Sequence, residues 1–123
     1  MSTLTIESKQ IIAEYFEALS GKIKTDEIVD RYVADPKLKQ HIREAEAAFP
    51  GYELVVDQMI SEGDMVAIRG TMHGTHLGAF AEIEATGKKV SAGLMLFYRL
   101  SEGRIVEHWM QLDSMSLMHQ LTH

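Results

Sequence analysis

Leu4, Ile11, Ile12, Tyr15, Phe16 and Leu19 fall at i, i+7, i+8, i+11, i+12 and i+15, one stripe along a helix. Ser2, Thr3 or Thr5 can cap its start and Gly21 stops it. Thr25 opens a short second helix with Asp26 and Glu27 in the dipole-favoured first turn, running to about Val33. Asp35 as N-cap with Pro36 at the first helical position predicts a third, with buried stripe Leu38, Ile42, Ala45 and Phe49 and an end at Pro50-Gly51. From Tyr52 the period becomes two: Leu54, Val56 and Gln58 alternate with Val55, Asp57 and Met59, and Glu62-Gly63-Asp64 reverses the chain into Val66 to Arg69. A loop with one helical turn is expected from Gly78 to Gly87. A second hairpin follows, Val90 to Leu100 and Arg104 to Asp113 about Ser101-Glu102-Gly103, and Ser114 to Leu121 suits a closing helix.

Helices first and paired strands after predict an α+β fold, N-terminal helices packed on a strongly curved antiparallel sheet around an internal pocket. No repeat, linker or low-complexity segment interrupts it, so residues 1–123 read as one domain. The strand Val90 to Leu100 carries Leu94, Leu96 and Tyr98 on one face and Met95 and Phe97 on the other. The helices can cover one face, and a second copy of the sheet is the simplest cover for the other, so a homodimer through the outer sheet face is expected.

Composition narrows the function. An apolar fraction of 46% with 24% charged residues fits a globular chain. A net charge of −6 without a basic cluster argues against nucleic acid. The absence of cysteine removes disulfides, thiolate catalysis and cysteine metal sites, and fits a reducing compartment. The first residues lack a charged and apolar leader pattern, and no stretch approaches a membrane span, so a cytoplasmic protein is expected, with neither nucleic acid nor membrane as partner.

In the last strand, alternation puts Glu107, Trp109, Gln111 and Asp113 on one face and His108, Met110 and Leu112 on the other. If the first face lines the curve of the sheet, a carboxylate there is desolvated and suited to proton transfer. Asp113 also precedes Ser114-Met115-Ser116-Leu117, where it can simply cap the last helix, and both roles stay open. Trp109 is a core filler or a ligand platform, and Gln111 a donor to a carbonyl or enolate oxygen. His73 and His76, three apart in a strand, face opposite ways and cannot share a metal, so no metal site is expected. His41, His119 and His123 read as peripheral and His76 as a hydrogen bonder at the pocket rim. A dehydratase or epoxide hydrolase would need paired acids or a His–Asp pair in the pocket, and with His108 on the far face none is expected.

Several stretches in order resemble the SnoaL-like polyketide cyclase family, within the nuclear transport factor 2-like superfamily that includes ketosteroid isomerase. They are Ala48-Phe49-Pro50-Gly51-Tyr52-Glu53-Leu54, Glu62-Gly63-Asp64-Met65-Val66, Gly74-Thr75-His76-Leu77-Gly78-Ala79-Phe80, Thr86-Gly87-Lys88, and Glu102-Gly103-Arg104-Ile105-Val106-Glu107-His108-Trp109 followed by Asp113 and Leu117. The resemblance implies a cone-shaped fold with a deep pocket, a homodimer and no cofactor. It carries the acid/base role of an aspartate near the end of the last strand onto Asp113, and pocket positions onto His76 and Trp109. Where relatives read Gly-Ile-Pro-Pro, this chain has Glu82-Ile83-Glu84-Ala85. The expected function is cofactor-independent acid/base chemistry, a polyketide cyclase (intramolecular aldol) or isomerase reaction on a small apolar carbonyl compound. Asp113 and Gln111 would be catalytic, and Trp109, His76, Tyr15, Phe49, Leu94, Leu96 and Tyr98 substrate-binding. The alternative is a non-catalytic binding or dimerisation module.

Overall fold

A computed structural model describes residues 3–123, so the candidate cap Ser2 lies outside the described residues. Three helices, α1 (Thr3–Leu19), α2 (Asp26–Tyr32) and α3 (Pro36–Ala48), precede strands β1 (Glu53–Glu62), β2 (Met65–Thr75), β3 (Lys89–Ser101) and β4 (Arg104–Leu112), and α4 (Ser114–Thr122) closes the chain. The strands form an antiparallel meander in the order β1-β2-β3-β4, an open sheet in an α+β fold.

The helix signals act as their chemistry dictates. The Thr25 hydroxyl accepts the Ile28 amide at 3.3 Å and the Asp35 carboxylate accepts the Lys37 amide at 2.9 Å. The α3 helix stops one residue short of Phe49, which is its C-cap. Thr5 is not a cap: it sits inside α1 and its hydroxyl accepts the Gly63 amide at 2.7 Å, while Ser8 donates to the Gly63 carbonyl at 2.8 Å, pinning α1 to the β1–β2 turn.

Inward residues of β3, Val90, Ala92, Leu94, Leu96, Tyr98 and Leu100, are buried under the helices with Ile12, Phe16, Leu19 and Leu117. Their outward neighbours Met95 and Phe97 are more than half exposed. Pairing of β3 with β4 starts in step at Ser101↔Arg104 and Leu100↔Ile105, then skips a residue, so that Arg99 faces Glu107 and Leu96 faces Met110. This bulge at Val106 has a large effect, because one inserted residue turns every later side chain to the opposite face. His108, Met110 and Leu112 therefore point inward with Tyr98, Leu96 and Leu94, and Glu107, Trp109 and Gln111 point outward. Without the bulge Leu96 would face Trp109 and Leu94 would face Gln111, which is the arrangement that unbroken alternation leads one to expect.

The segment 76–88 between β2 and β3 holds no helical turn. It doubles back through a two-residue reversal, with mutual hydrogen bonds between Phe80 and Ile83 and positive φ at Ala81 (49°) and Glu82 (66°). Gly78 passes so close to the end of α3 that a Cβ would lie 2.0 Å from the Ala47 carbonyl oxygen, so no other residue fits there.

Candidate active site

Between the inner face of the sheet and helices α1 and α3 lies a cavity of about 310 Å³, at the lower end of the range for small-molecule sites. Leu94, Leu96, Tyr98, Tyr15 and Phe49, five of the expected binding residues, line it, joined by Met110 and Leu112 from β4. Tyr52 is also in the wall. Burial pushes the hydroxyls of Tyr15, Tyr52 and Tyr98 above the ordinary phenol range, so all three remain neutral donors and none supplies a phenolate. His41 and Glu44, one helical turn apart on α3, line the cavity yet are exposed, which places its mouth there.

Behind His41 stands a file of polar groups. The Nδ1 of His41 lies 3.1 Å from the Nε2 of His108, with the two rings perpendicular at 5.1 Å between centroids. The Nδ1 of His108 lies 2.7 Å from Oδ2 of Asp35. The side chains of His108 and Asp35 are only 5% and 9% exposed, so this contact is sheltered from water. Burial works against the charge of Asp35, but the hydrogen bond from His108 and the amides of Lys37 and Leu38 outweigh it and hold the carboxyl below its usual range. A His–Asp pair thus faces inward, against expectation, because of the Val106 bulge. The sequence carried one further signal: His41 falls three residues after Leu38 and one before Ile42, on the edge of the buried stripe of α3.

The expected catalytic residues lie elsewhere. Asp113 caps α4, its carboxylate accepting the Ser116 amide at 3.1 Å, and it is exposed and outside the cavity wall. Gln111 and Trp109 are exposed on the outer face, Trp109 by 48%, beside Met95 and Phe97. His76 is fully buried but behind the wall: its Nδ1 accepts the Thr86 amide at 3.1 Å and its ring lies against Phe49, so it pins the 76–88 segment rather than the cavity rim. Among the described residues no three His, Asp or Glu side chains converge as a metal site, and no helix is long and apolar enough to cross a membrane.

Comparison with known proteins agrees with this architecture. A family model described as SnoaL-like polyketide cyclase matches residues 15–121. Among solved structures, AclR from Streptomyces galilaeus, a proposed hydroxylase, is similar at 26% identity and TM-score 0.82, over 96% of this chain and 82% of its own. A proposed polyketide cyclase from Acidithiobacillus ferrooxidans is similar at 21% identity and TM-score 0.80, over 99% and 98% of the two chains. IdmH from Streptomyces antibioticus, also a proposed polyketide cyclase, shares 24% identity at TM-score 0.75 over 94% and 99%. Among curated protein sequences none matches.

Proposed function

Since the chain belongs to the SnoaL-like polyketide cyclase family, we propose that it is a cofactor-independent acid/base enzyme that closes a ring or moves a double bond in a small, largely apolar carbonyl compound. The observation that carries this reading is the cavity itself: about 310 Å³ walled by aliphatic and aromatic side chains, with His41 and Glu44 at its mouth. Such walls hold a flexible substrate folded, and that proximity supplies several of the roughly 8 kcal/mol or more that an enzyme contributes. This reading puts proton transfer at the mouth, where His41 and Glu44 line the cavity, and not at Asp113 or Gln111, which do not line it.

The test is a thermal-shift series with 2-tetralone and related enolisable aromatic ketones against the wild type and Ala45→Phe, which fills the cavity from α3. Ligand-dependent stabilisation of the wild type that Ala45→Phe abolishes supports the reading. No stabilisation by any ketone of the series overturns it, and binding without conversion favours the non-catalytic alternative.

The same reading has the protein act as a homodimer through its outer sheet face. Ile60, Ala67, Phe97 and Trp109 stand in register across all four strands, and Ile60, Phe97 and Trp109 are about half exposed or more in a single copy. Sedimentation at micromolar concentration should give a dimer that Phe97→Arg converts to monomer; a monomeric wild type refutes it.

A further inference from the structure

We propose that Asp35, His108 and His41 are a proton relay, with the Nε2 atom of His41 as its working end at the cavity mouth and His108, held against Asp35, as the place where the positive charge rests. The identity of the substrate rests on the preceding reading, whereas the relay rests on the geometry of the three side chains.

Hydrogen-bond logic fixes the protons. Asp35 accepts the Lys37 amide with Oδ1, and its Oδ2 faces Nδ1 of His108 at 2.7 Å. A carboxylate only accepts, so Nδ1 of His108 carries hydrogen. In the neutral ring Nε2 is then an acceptor, so across the 3.1 Å contact the donor is Nδ1–H of His41. The lone pair of His41 is thereby left on Nε2, the free nitrogen of a residue that lines the cavity. In histidine-based catalysis generally, a carboxylate of this kind fixes the tautomer and stabilises the imidazolium that forms. Here the carboxylate acts through one ring on the next.

A C–H bond next to the substrate carbonyl breaks and its electron pair enters the enolate. The proton binds Nε2 of His41, and the proton on Nδ1 of His41 passes to Nε2 of His108. The products are an enolate and a His108 imidazolium beside the Asp35 carboxylate, and reversal delivers the proton to the newly formed carbon or oxygen centre. Because the side chains of His108 and Asp35 are nearly buried, water screens their attraction little. Other charged groups flank the file, Arg104 among them, which donates to the Val33 carbonyl at 2.9 Å. On α3, Glu44 stands at the mouth and accepts from Gln40 at 3.0 Å, and Lys37 gives its amide to Asp35. On β4, Glu107 pairs with Arg99 across the opposite face of the sheet. Tyr98, opposite His108 in register, is neutral.

The decisive experiment is ring-nitrogen NMR on ¹⁵N-histidine-labelled protein from pH 5 to 9, wild type against Asp35→Asn, which keeps the helix cap. The relay requires hydrogen on Nδ1 of both neutral rings in the wild type and one protonation step seen at the same pH by both. In Asp35→Asn, His41 should move toward the Nε2–H tautomer. A His41 that titrates alone, with the same tautomer in both proteins, overturns the proposal and leaves the file as a structural tie between α3 and β4. Deuterium exchange at the α-carbon of 2-tetralone in D₂O adds the chemical readout. His41→Gln should lower the exchange rate about 100-fold with the thermal shift by 2-tetralone retained, and an unchanged rate also overturns the relay. Failure of 2-tetralone to bind counts against the proposed function for that ketone, and the ring nitrogens then decide the relay alone.

Discussion

Two helices of this protein begin with the same device in different surroundings. Asp35 caps α3 and Asp113 caps α4, each accepting an amide of its own first turn, at 2.9 and 3.1 Å. Capping occupies one carboxylate oxygen and leaves the other free. At Asp113 the residue is exposed and, among the described residues, its carboxylate accepts only the amide of Ser116. At Asp35 the helix start is pressed against β4, and the second oxygen meets His108 in a sheltered contact. A cap becomes a candidate catalytic group through what packs against its unused oxygen, a property of tertiary structure that the capping motif does not encode.

Substitutions at the two caps should therefore have unequal effects. The largest belongs to Asp35→Ala, which removes a cap and strands the buried Nδ1–H of His108; urea unfolding should show a loss of about 3 kcal/mol. Next is Asp35→Asn, which keeps the cap but weakens a charge-assisted bond to a neutral one, a loss of about 1.5 kcal/mol at pH 7. That loss depends on pH with a definite sign. The carboxyl of Asp35 is depressed in the folded state, so the unfolded chain takes up its proton first on acidification. The stabilisation is present above the ordinary carboxylate value of about 3.9 and disappears as pH falls through the lower folded value. Urea midpoints of the wild type and Asp35→Asn should converge below about pH 4, and a constant gap down to pH 2.5 would break the link to Asp35. Asp113→Ala should cost about 1 kcal/mol by the same unfolding assay. The smallest effect is expected from Asp113→Asn, within about 0.5 kcal/mol at pH 5 to 8; a larger loss there would mean that Asp113 has a partner beyond Ser116.

The sequence made the elements legible because each rests on local chemistry. The stripes of α1 and α3, the Asp35-Pro36 start and the reversals at Gly63 and Gly103 need no distant contact to be read, and five wall residues of the cavity followed from them. What stayed hidden was parity. Trp109 and Gln111 alternate with His108 and Met110 whichever face turns inward, and both sets contain apolar residues, so hydrophobicity alone could not choose. The bulge at Val106 decides it, and nothing about Val106 as a residue type announces a bulge. Asp35 was visible as a cap and His41 as a helix residue, but their common neighbour on β4 became apparent only with the register.

The meander order of the sheet also bears on how quickly the molecule assembles. Every strand pairs with its neighbour in sequence, through turns of a few residues at Gly63 and Gly103 and one longer connection at 76–88. Loop closure of that size costs little, and two hairpins can zip before α1 docks. The bonds from Thr5 and Ser8 to Gly63 span 55 residues or more, so they reward a hairpin turn that already exists. A slow step in refolding would accordingly report the docking of α1 or the setting of the Val106 bulge rather than the pairing of distant strands.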